Sequence, residues 1–391
     1  MMASKLPTLI CFSSMGTPYG FGGFNTCYAG VEGYGEGWPD EEGRKIAQRM
    51  SACGFKEALP WVDGPPGALF PLDHPDDRCD ISCKKESYVE RIRNFVSAAH
   101  DMGIKVHLYF AVGPVAITRA DEKGRPIVHT HTLAVNHPDK FTVTRDGQTS
   151  VERVMRGGVR TGFAGLGYPE IRSELAEYYV DMVDRTGADG IQLEPVSMPM
   201  DPKGVSIYGY ERPIVEAYRE ATGLNPVEIP NSREDWVKFR CHFTTLLAKE
   251  VRKGLSSLDQ DVVLSTVGYT WEDDRHHFWP WEEWVKEGLM EAFYFRTKPH
   301  PSLIPSMQRA QTLCGEVGMP FIPCFDLKTQ DDRDLDTDLL VACLVTLMDA
   351  GMGRIGIYGL RFAPLAHNPL EVDVGLWQEI LGRLGTQKDL K

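Results

Sequence analysis

The stretch that decides the fold is Gly187–Pro195, GADGIQLEP, a short strand-like run that follows a glycine turn and ends on a carboxylate. Successive side chains of a β-strand point to opposite faces, so Gln192 and Glu194 share one face and Leu193 lies on the other. In a closed parallel barrel the face with Glu194 is the interior, and catalytic acids sit at the carboxyl ends of barrel strands. The stretch therefore predicts a barrel strand with Glu194 in a catalytic position. The alternative is that Glu194 caps the next helix or pairs with an arginine.

The same alternation of strand and helix continues along the chain. Eight strand-like segments are predicted, at 6–13, 57–61, 105–111, 190–194, 262–267, 292–296, 321–325 and 354–358. Eight segments of helical length follow them in turn, at 41–51, 87–102, 169–185, 235–258, 280–287, 302–317, 336–350 and 373–384. Several of these helices end on a glycine that turns the chain back, as at Gly103, Gly187 and Gly318.

Strict alternation predicts a parallel sheet, and eight units are the number in a (β/α)8 or TIM barrel. We expect one such α/β barrel domain over residues 1–391, with long loops after the third and fourth strands (112–168 and 196–234). Barrels elaborate their carboxyl face in this way because the active site lies there. An open doubly wound sheet is the alternative, but no G-x-G-x-x-G follows the first strand.

The composition limits the kinds of molecule that we expect the protein to bind. The chain has 391 residues, of which 42% are hydrophobic and 25% charged, as in a packed soluble protein. A net charge of -13 repels phosphate backbones and anionic membranes, so we expect no nucleic acid and no membrane partner. We also expect no signal peptide, no cofactor and a cytoplasmic location with reduced cysteines. A homo-oligomer is compatible with the sequence.

A second carboxylate, Asp326, closes the seventh predicted strand as Glu194 closes the fourth. Strands four and seven lie nearly opposite each other in a barrel. Their carboxyl groups could flank a bond at about 5 Å or at about 6.5 Å and more, the two separations found in glycosidases. The alternative for Asp326 is a helix cap or an ion pair with Lys328.

Acidic and aromatic residues crowd the segment after the fifth strand. Glu272, Asp273 and Asp274 could supply an acid in place of Asp326, although a charged run in a loop is usually solvated. Aromatic rings suit the apolar faces of sugars, and we expect Trp271, Trp279 or Trp281 to line a cleft, whereas Trp284 has the spacing of a core residue. The substrate-binding candidates on strands and loops are Trp61, Asp63, His107, Tyr109, Gln192, Tyr269, Trp271, Glu272, Trp279, Trp281, Tyr294, Arg296, Tyr358 and Arg361.

Histidines raise a metal alternative. His129 and His131 form an HxH pair that, with His107, could bind a divalent ion, but no histidine on the fifth and sixth strands completes the set. The acidic pairs 76–77 and 331–332 could bind Mg²⁺ or Ca²⁺. The interpretation that we favour has no catalytic metal.

Ordered short motifs resemble the glycosyl-hydrolase-like proteins of family 10. They are AHDMGIKVH (99–107), NHPD (136–139), PEIR (169–172), DGIQLE (189–194), WVKFR (236–240), VLS (263–265) and WVKEG (284–288). The resemblance implies a (β/α)8 barrel that acts on glycosides through its fourth-strand carboxylate. The family pattern has Asp where Glu194 stands. This exchange favours the arrangement of another large group of barrel glycosidases, with a fourth-strand Glu as acid/base and a seventh-strand carboxylate as nucleophile.

The sequence thus predicts a retaining glycoside hydrolase for short oligosaccharides or glycosides, with Glu194 as acid/base and Asp326 as nucleophile. Three alternatives stay open. Glu194 is the nucleophile and the acid comes from Glu272, Asp273 or Asp274. The barrel is a metal-dependent hydrolase or isomerase. The barrel binds carbohydrate without cleaving it.

Overall fold

A computed structural model describes residues 7–13, 40–60, 86–120, 126–130, 132–150, 160–195, 198–269, 273–297, 303–326, 337–360 and 374–389. Its strands are β1 (Thr8–Ser13), β2 (Phe55–Pro60), β3 (Lys105–Val112), β4 (Pro114–Ala120), β5 (Pro126–Thr130), β6 (Arg160–Phe163), β7 (Gly190–Pro195), β8 (Val263–Gly268), β9 (Ala292–Thr297), β10 (Phe321–Asp326) and β11 (Arg354–Leu360). Its helices are α1 (Asp40–Ala52), α2 (Glu86–Asp101), α3 (Thr132–Asn136), α4 (Pro169–Thr186), α5 (Arg212–Thr222), α6 (Glu234–Leu255), α7 (Asp273–His276), α8 (Trp281–Lys286), α9 (Leu303–Val317), α10 (Thr337–Asp349) and α11 (Val374–Asp389).

Eight of these strands form a closed parallel barrel in the order β1-β11-β10-β9-β8-β7-β3-β2. The predicted (β/α)8 fold is confirmed, and the bounds of each predicted strand agree with the structure to within two residues. The agreement has a local cause, because each barrel strand is a short apolar run bounded by turn residues. Glycines in the left-handed conformation end the helices as expected, with φ of 68° at Gly103, 71° at Gly187 and 71° at Gly318.

Because side chains alternate between the two faces of each strand, the barrel strands contribute to two separate apolar clusters. Ile191 and Leu193 of β7 belong to the large apolar layer between barrel and helices. Tyr109 and Ala111 of β3, which belong to a smaller cluster inside the barrel, are the register partners of Gln192 and Glu194. The inward position predicted for Gln192 and Glu194 follows from this pairing.

The two long connections contain structure that the sequence did not predict. After β3 the chain forms an antiparallel sheet in the order β5-β4-β6, followed by a return to α4. After β7 it forms α5 before the long helix α6. Several hydrogen bonds join the connections, among them those from Tyr210 N to Val143 O (3.1 Å), from Gly209 N to Thr142 Oγ1 (3.1 Å) and from Arg145 Nη2 to Ile229 O (2.7 Å). Because both connections leave the carboxyl ends of barrel strands, they lie beside the end of β7 that carries Glu194.

No helix in the described part of the chain is long and apolar enough to cross a membrane.

Candidate functional site

The site begins with a buried ion pair at the carboxyl end of the barrel. Glu194 is the fifth residue of β7, and Arg296 is the fifth residue of β9, two strands away. Arg296 Nη1 donates a 2.8 Å hydrogen bond to Glu194 Oε1, and the two side chains are 12% and 3% exposed. A charged pair this far from solvent is uncommon unless the partners also hydrogen-bond each other, as they do here.

Two tyrosines hold the guanidinium of Arg296. The guanidinium carbon lies 4.3 Å from the centre of the Tyr269 ring and 3.8 Å from the centre of the Tyr358 ring. Both distances are within the range of cation–π attraction. Tyr109 contacts Tyr358 edge to face, with ring centroids 6.4 Å apart. The structure therefore brings together five residues that the sequence proposed separately.

Glu194 does pair with an arginine, which was one alternative to a catalytic role. The pairing is nevertheless compatible with a catalytic role. A charge-assisted hydrogen bond from a guanidinium stabilises the anionic carboxylate and fixes its orientation. Such a carboxylate is suited to attack or to stabilise a developing cation more than to donate a proton.

Three other candidates lie deeper in the barrel. Gln192 is fully buried, and neither its amide nitrogen nor its amide oxygen has a hydrogen-bond partner among the described residues. The imidazole of His107 fills the space beside Gly190, where an added Cβ would lie 2.2 Å from Nδ1. Burial lowers the pKa of His107 below its ordinary value, so the ring is neutral near pH 7. Tyr294 is fully buried, and the loss of solvent raises the pKa of its hydroxyl.

A second ion pair lies at the opposite end of the barrel interior. Arg354 Nε and Nη2 donate to Glu57 Oε1 and Oε2 at 3.0 and 2.6 Å. His107 Nε2 is 4.0 Å from Glu57 Oε2. His107 therefore lies with Glu57 near the amino ends of the strands, where residues of such barrels serve stability more than the carboxyl-end site.

Trp279 and Trp281 lie in a different place from the predicted cleft. Trp279 is 2% exposed, and its Nε1 donates to Thr266 Oγ1 at 3.0 Å. Trp281 is 1% exposed and stacks on Phe293, with ring centroids 4.2 Å apart. Both rings belong to the apolar layer between barrel and helices. The spacing of Trp281, Trp284 and Val285 along α8 is the sequence signal of such a core face.

Several predicted residues lie outside the described parts of the chain: Trp61, Asp63, Asp76, Asp77, His131, Trp271, Glu272, Asp331, Asp332 and Arg361. For Asp326 the backbone is described. It is the last residue of β10 and the register partner of Tyr358. Among the described residues, no group of three His, Cys, Asp or Glu side chains could hold a metal ion.

Arg240 on α6 organises the connection after β7, a role that the sequence did not indicate. Its side chain is buried, and its guanidinium donates to Ser206 O (3.2 Å), Tyr208 O (2.9 Å), Asn231 Oδ1 (2.8 Å) and Asn231 O (2.9 Å). The connection is therefore attached to the barrel's helical layer beside the site.

Glu211 is a buried acid where the two long connections meet. It precedes α5, is 2% exposed, and interacts with the hydroxyl of Thr142. Its Oε2 has no hydrogen-bond partner in the described ranges. Burial raises the pKa of Glu211 to about 7, from an ordinary value of 4.5. The folded protein consequently prefers the protonated acid.

We expect Glu211 to make stability depend on pH. Because the pKa of Glu211 is raised in the folded state, the contribution of this residue to the free energy of unfolding is most favourable below pH 4.5. The contribution falls as pH rises toward 7 and then stays lower by about 3 kcal/mol. Glu211→Gln should remove this loss, so the variant gains stability over the parent as pH rises through this window. Urea unfolding from pH 5 to 8 measures the difference, with Glu216→Gln, an exposed position on α5, as the control. An unchanged pH dependence in Glu211→Gln would contradict the prediction.

Comparison with known proteins places the chain in a family. A family model described as glycosyl hydrolase-like 10 matches residues 75–297, more than half of the chain. The protein belongs to this glycosyl hydrolase-like family, as the sequence motifs indicated. No curated protein sequence matches the chain.

Solved structures share the barrel. A β-galactosidase from the psychrophilic Marinomonas ef1 superposes with a TM-score of 0.58 at 12% identity, over 98% of this chain and 60% of that one. A GH138 enzyme targeting pectin rhamnogalacturonan II superposes with a TM-score of 0.51 at 13% identity, over 98% of this chain and 39% of that one. The chain thus spans less than two thirds of these proteins, and at such low identity the likeness concerns the fold.

Proposed function

We propose that the protein is a glycoside hydrolase that cleaves O-glycosyl bonds with Glu194 as a reacting carboxylate. The observation that carries this proposal is the buried ion pair between Glu194 and Arg296 at the carboxyl end of the barrel. Membership of a glycosyl hydrolase-like family supports it. The tyrosine rings beside the pair are of the kind that contact sugar faces and hydroxyl groups.

The ion pair bears on which role Glu194 takes. As the acid/base, with Asp326 as nucleophile, Glu194 would have to carry a proton before the glycosidic bond breaks. A guanidinium 2.8 Å away opposes that protonation. We therefore favour Glu194 as the nucleophile, with the proton supplied by Asp326 or by an acid among Glu272, Asp273 and Asp274.

In this scheme a Glu194 oxygen attacks the anomeric carbon while the bond to the leaving oxygen breaks and the acid protonates that oxygen. Water then attacks the same carbon, its proton passes to the conjugate base, and Glu194 leaves as a carboxylate. The anomeric configuration is retained. The proposed substrates are short neutral oligosaccharides or glycosides, because a net charge of -13 disfavours anionic ones.

Labelling tests the proposal. We expect turnover of one aryl glycoside in a panel of both anomers, and inactivation by the matching 2-deoxy-2-fluoro glycosyl fluoride. Mass spectrometry of the digest should locate the sugar on Glu194. A label on Asp326 would restore the assignment made from the sequence. Sugar binding without turnover would identify a carbohydrate-binding barrel, and complete inhibition by a chelator would favour the metal-dependent alternative.

A further inference from the structure

We propose that Arg296 is a positioning residue that speeds the release of the sugar from Glu194 in the second half of the reaction. This inference rests on the proposed function and adds a role that the fold alone does not assign. It depends on three features of Arg296: its contact with Glu194, its burial and its attachment to two rings.

The position of Arg296 is constrained from several sides. It hydrogen-bonds Glu194 at 2.8 Å and lies against the rings of Tyr269 and Tyr358, at 4.3 and 3.8 Å. Its side chain is only 12% exposed. Tyr269 directly follows β8 and Tyr358 belongs to β11, so the ring contacts attach Arg296 to strands on both sides of β9 and hold the guanidinium in place when the charge on Glu194 changes.

That charge changes twice in a retaining reaction. When Glu194 bonds to the anomeric carbon it becomes a neutral ester, and the attraction between the guanidinium of Arg296 and the Glu194 carboxylate is lost. The loss of this attraction raises the free energy of the glycosyl-enzyme relative to the free enzyme. When water attacks the anomeric carbon, the electron pair of the breaking bond returns to Glu194, and Arg296 stabilises the carboxylate as it forms. The cation therefore lowers the barrier for release.

Rapid-quench kinetics with a 2,4-dinitrophenyl glycoside tests the inference, since this leaving group needs little acid assistance. In the parent we expect no accumulation of glycosyl-enzyme. In Arg296→Met we expect a burst of about one dinitrophenolate per enzyme and the sugar trapped on Glu194, because release slows about 100-fold while formation changes by less than tenfold. Arg296→Lys keeps the positive charge but not the planar guanidinium, so its rate of sugar release should lie between those of the parent and Arg296→Met.

Two further variants separate positioning from general destabilisation. Tyr269→Leu removes one ring from Arg296 and should produce a smaller shift toward accumulation. Arg354→Met removes a second barrel arginine, which pairs with Glu57 at the opposite end, and should lower stability without a burst. The pH profile gives an independent readout, because without Arg296 the acid limb for glycosyl-enzyme formation should move to higher pH.

The outcomes are distinguishable. A parent that turns over glycosides, combined with Arg296 variants that slow both steps equally or show no trapped sugar, overturns this inference and leaves the proposed function intact. A parent with neither turnover nor a label on Glu194 contradicts the proposed function itself.

Discussion

Glu194→Ala is expected to slow glycoside hydrolysis about 10⁴-fold, equivalent to about 5 kcal/mol of transition-state stabilisation. The variant loses the carboxylate that attacks the anomeric carbon, and no neighbouring side chain on β7 can replace it at that position. Steady-state kcat/KM on the activated aryl glycoside identified in the panel measures the loss. Glu57→Gln is the matched control, because it alters a second buried carboxylate that pairs with an arginine inside the barrel. It should reduce stability and leave kcat within a few-fold of the parent.

Added azide then distinguishes the two possible roles of Glu194. If Glu194 is the nucleophile, azide takes its place and Glu194→Ala forms a glycosyl azide of inverted configuration. If Glu194 is the acid/base, azide attacks the glycosyl-enzyme on Asp326 and the product keeps the configuration of the substrate. NMR of the azide product reads the configuration directly. Full activity of Glu194→Ala without azide would exclude both roles.

Arg240→Met is expected to cost about 3–5 kcal/mol of unfolding free energy, the largest stability effect that we predict. The replacement leaves the backbone carbonyls of Ser206, Tyr208 and Asn231, and the Asn231 side chain, without the guanidinium that donates to them. It also removes a cation from the rings of Phe278 and Trp236, whose centres lie 4.5 and 4.9 Å from it. Burial lowers the pKa of Arg240 to about 10, so the group is still charged at neutral pH.

Chemical denaturation of Arg240→Met measures the loss, and limited proteolysis should cut the 198–233 segment sooner than in the parent. Lys238→Ala on the same helix is the control. Lys238 and its partner Glu234 are 51% and 79% exposed, so the substitution should change stability by less than about 0.5 kcal/mol. A loss of similar size in both variants would show that α6 is sensitive to any substitution and that the network around Arg240 is not special.

The elements of the barrel could be predicted from the sequence because their signals are local. A run such as Phe321–Asp326 is apolar, short and bounded by turns, and a glycine such as Gly187 ends a helix whatever surrounds it. The antiparallel sheet of β4, β5 and β6 was missed because its strands pair within a long insertion, and such pairing depends on non-local contacts that no periodicity reports.

By itself the sequence determined the closed (β/α)8 order, the family, and the inward placement of Glu194, since alternation along a strand follows from the pleat. Only the tertiary structure decided the partners. Arg296 lies 102 positions from Glu194 along the chain, and the strand order β7-β8-β9 brings their side chains to 2.8 Å. The tertiary structure also decided that Trp279 packs against β8 and Trp281 against β9, in the core. The sequence could not, because an aromatic residue gives the same pattern whether it faces a sugar or a helix.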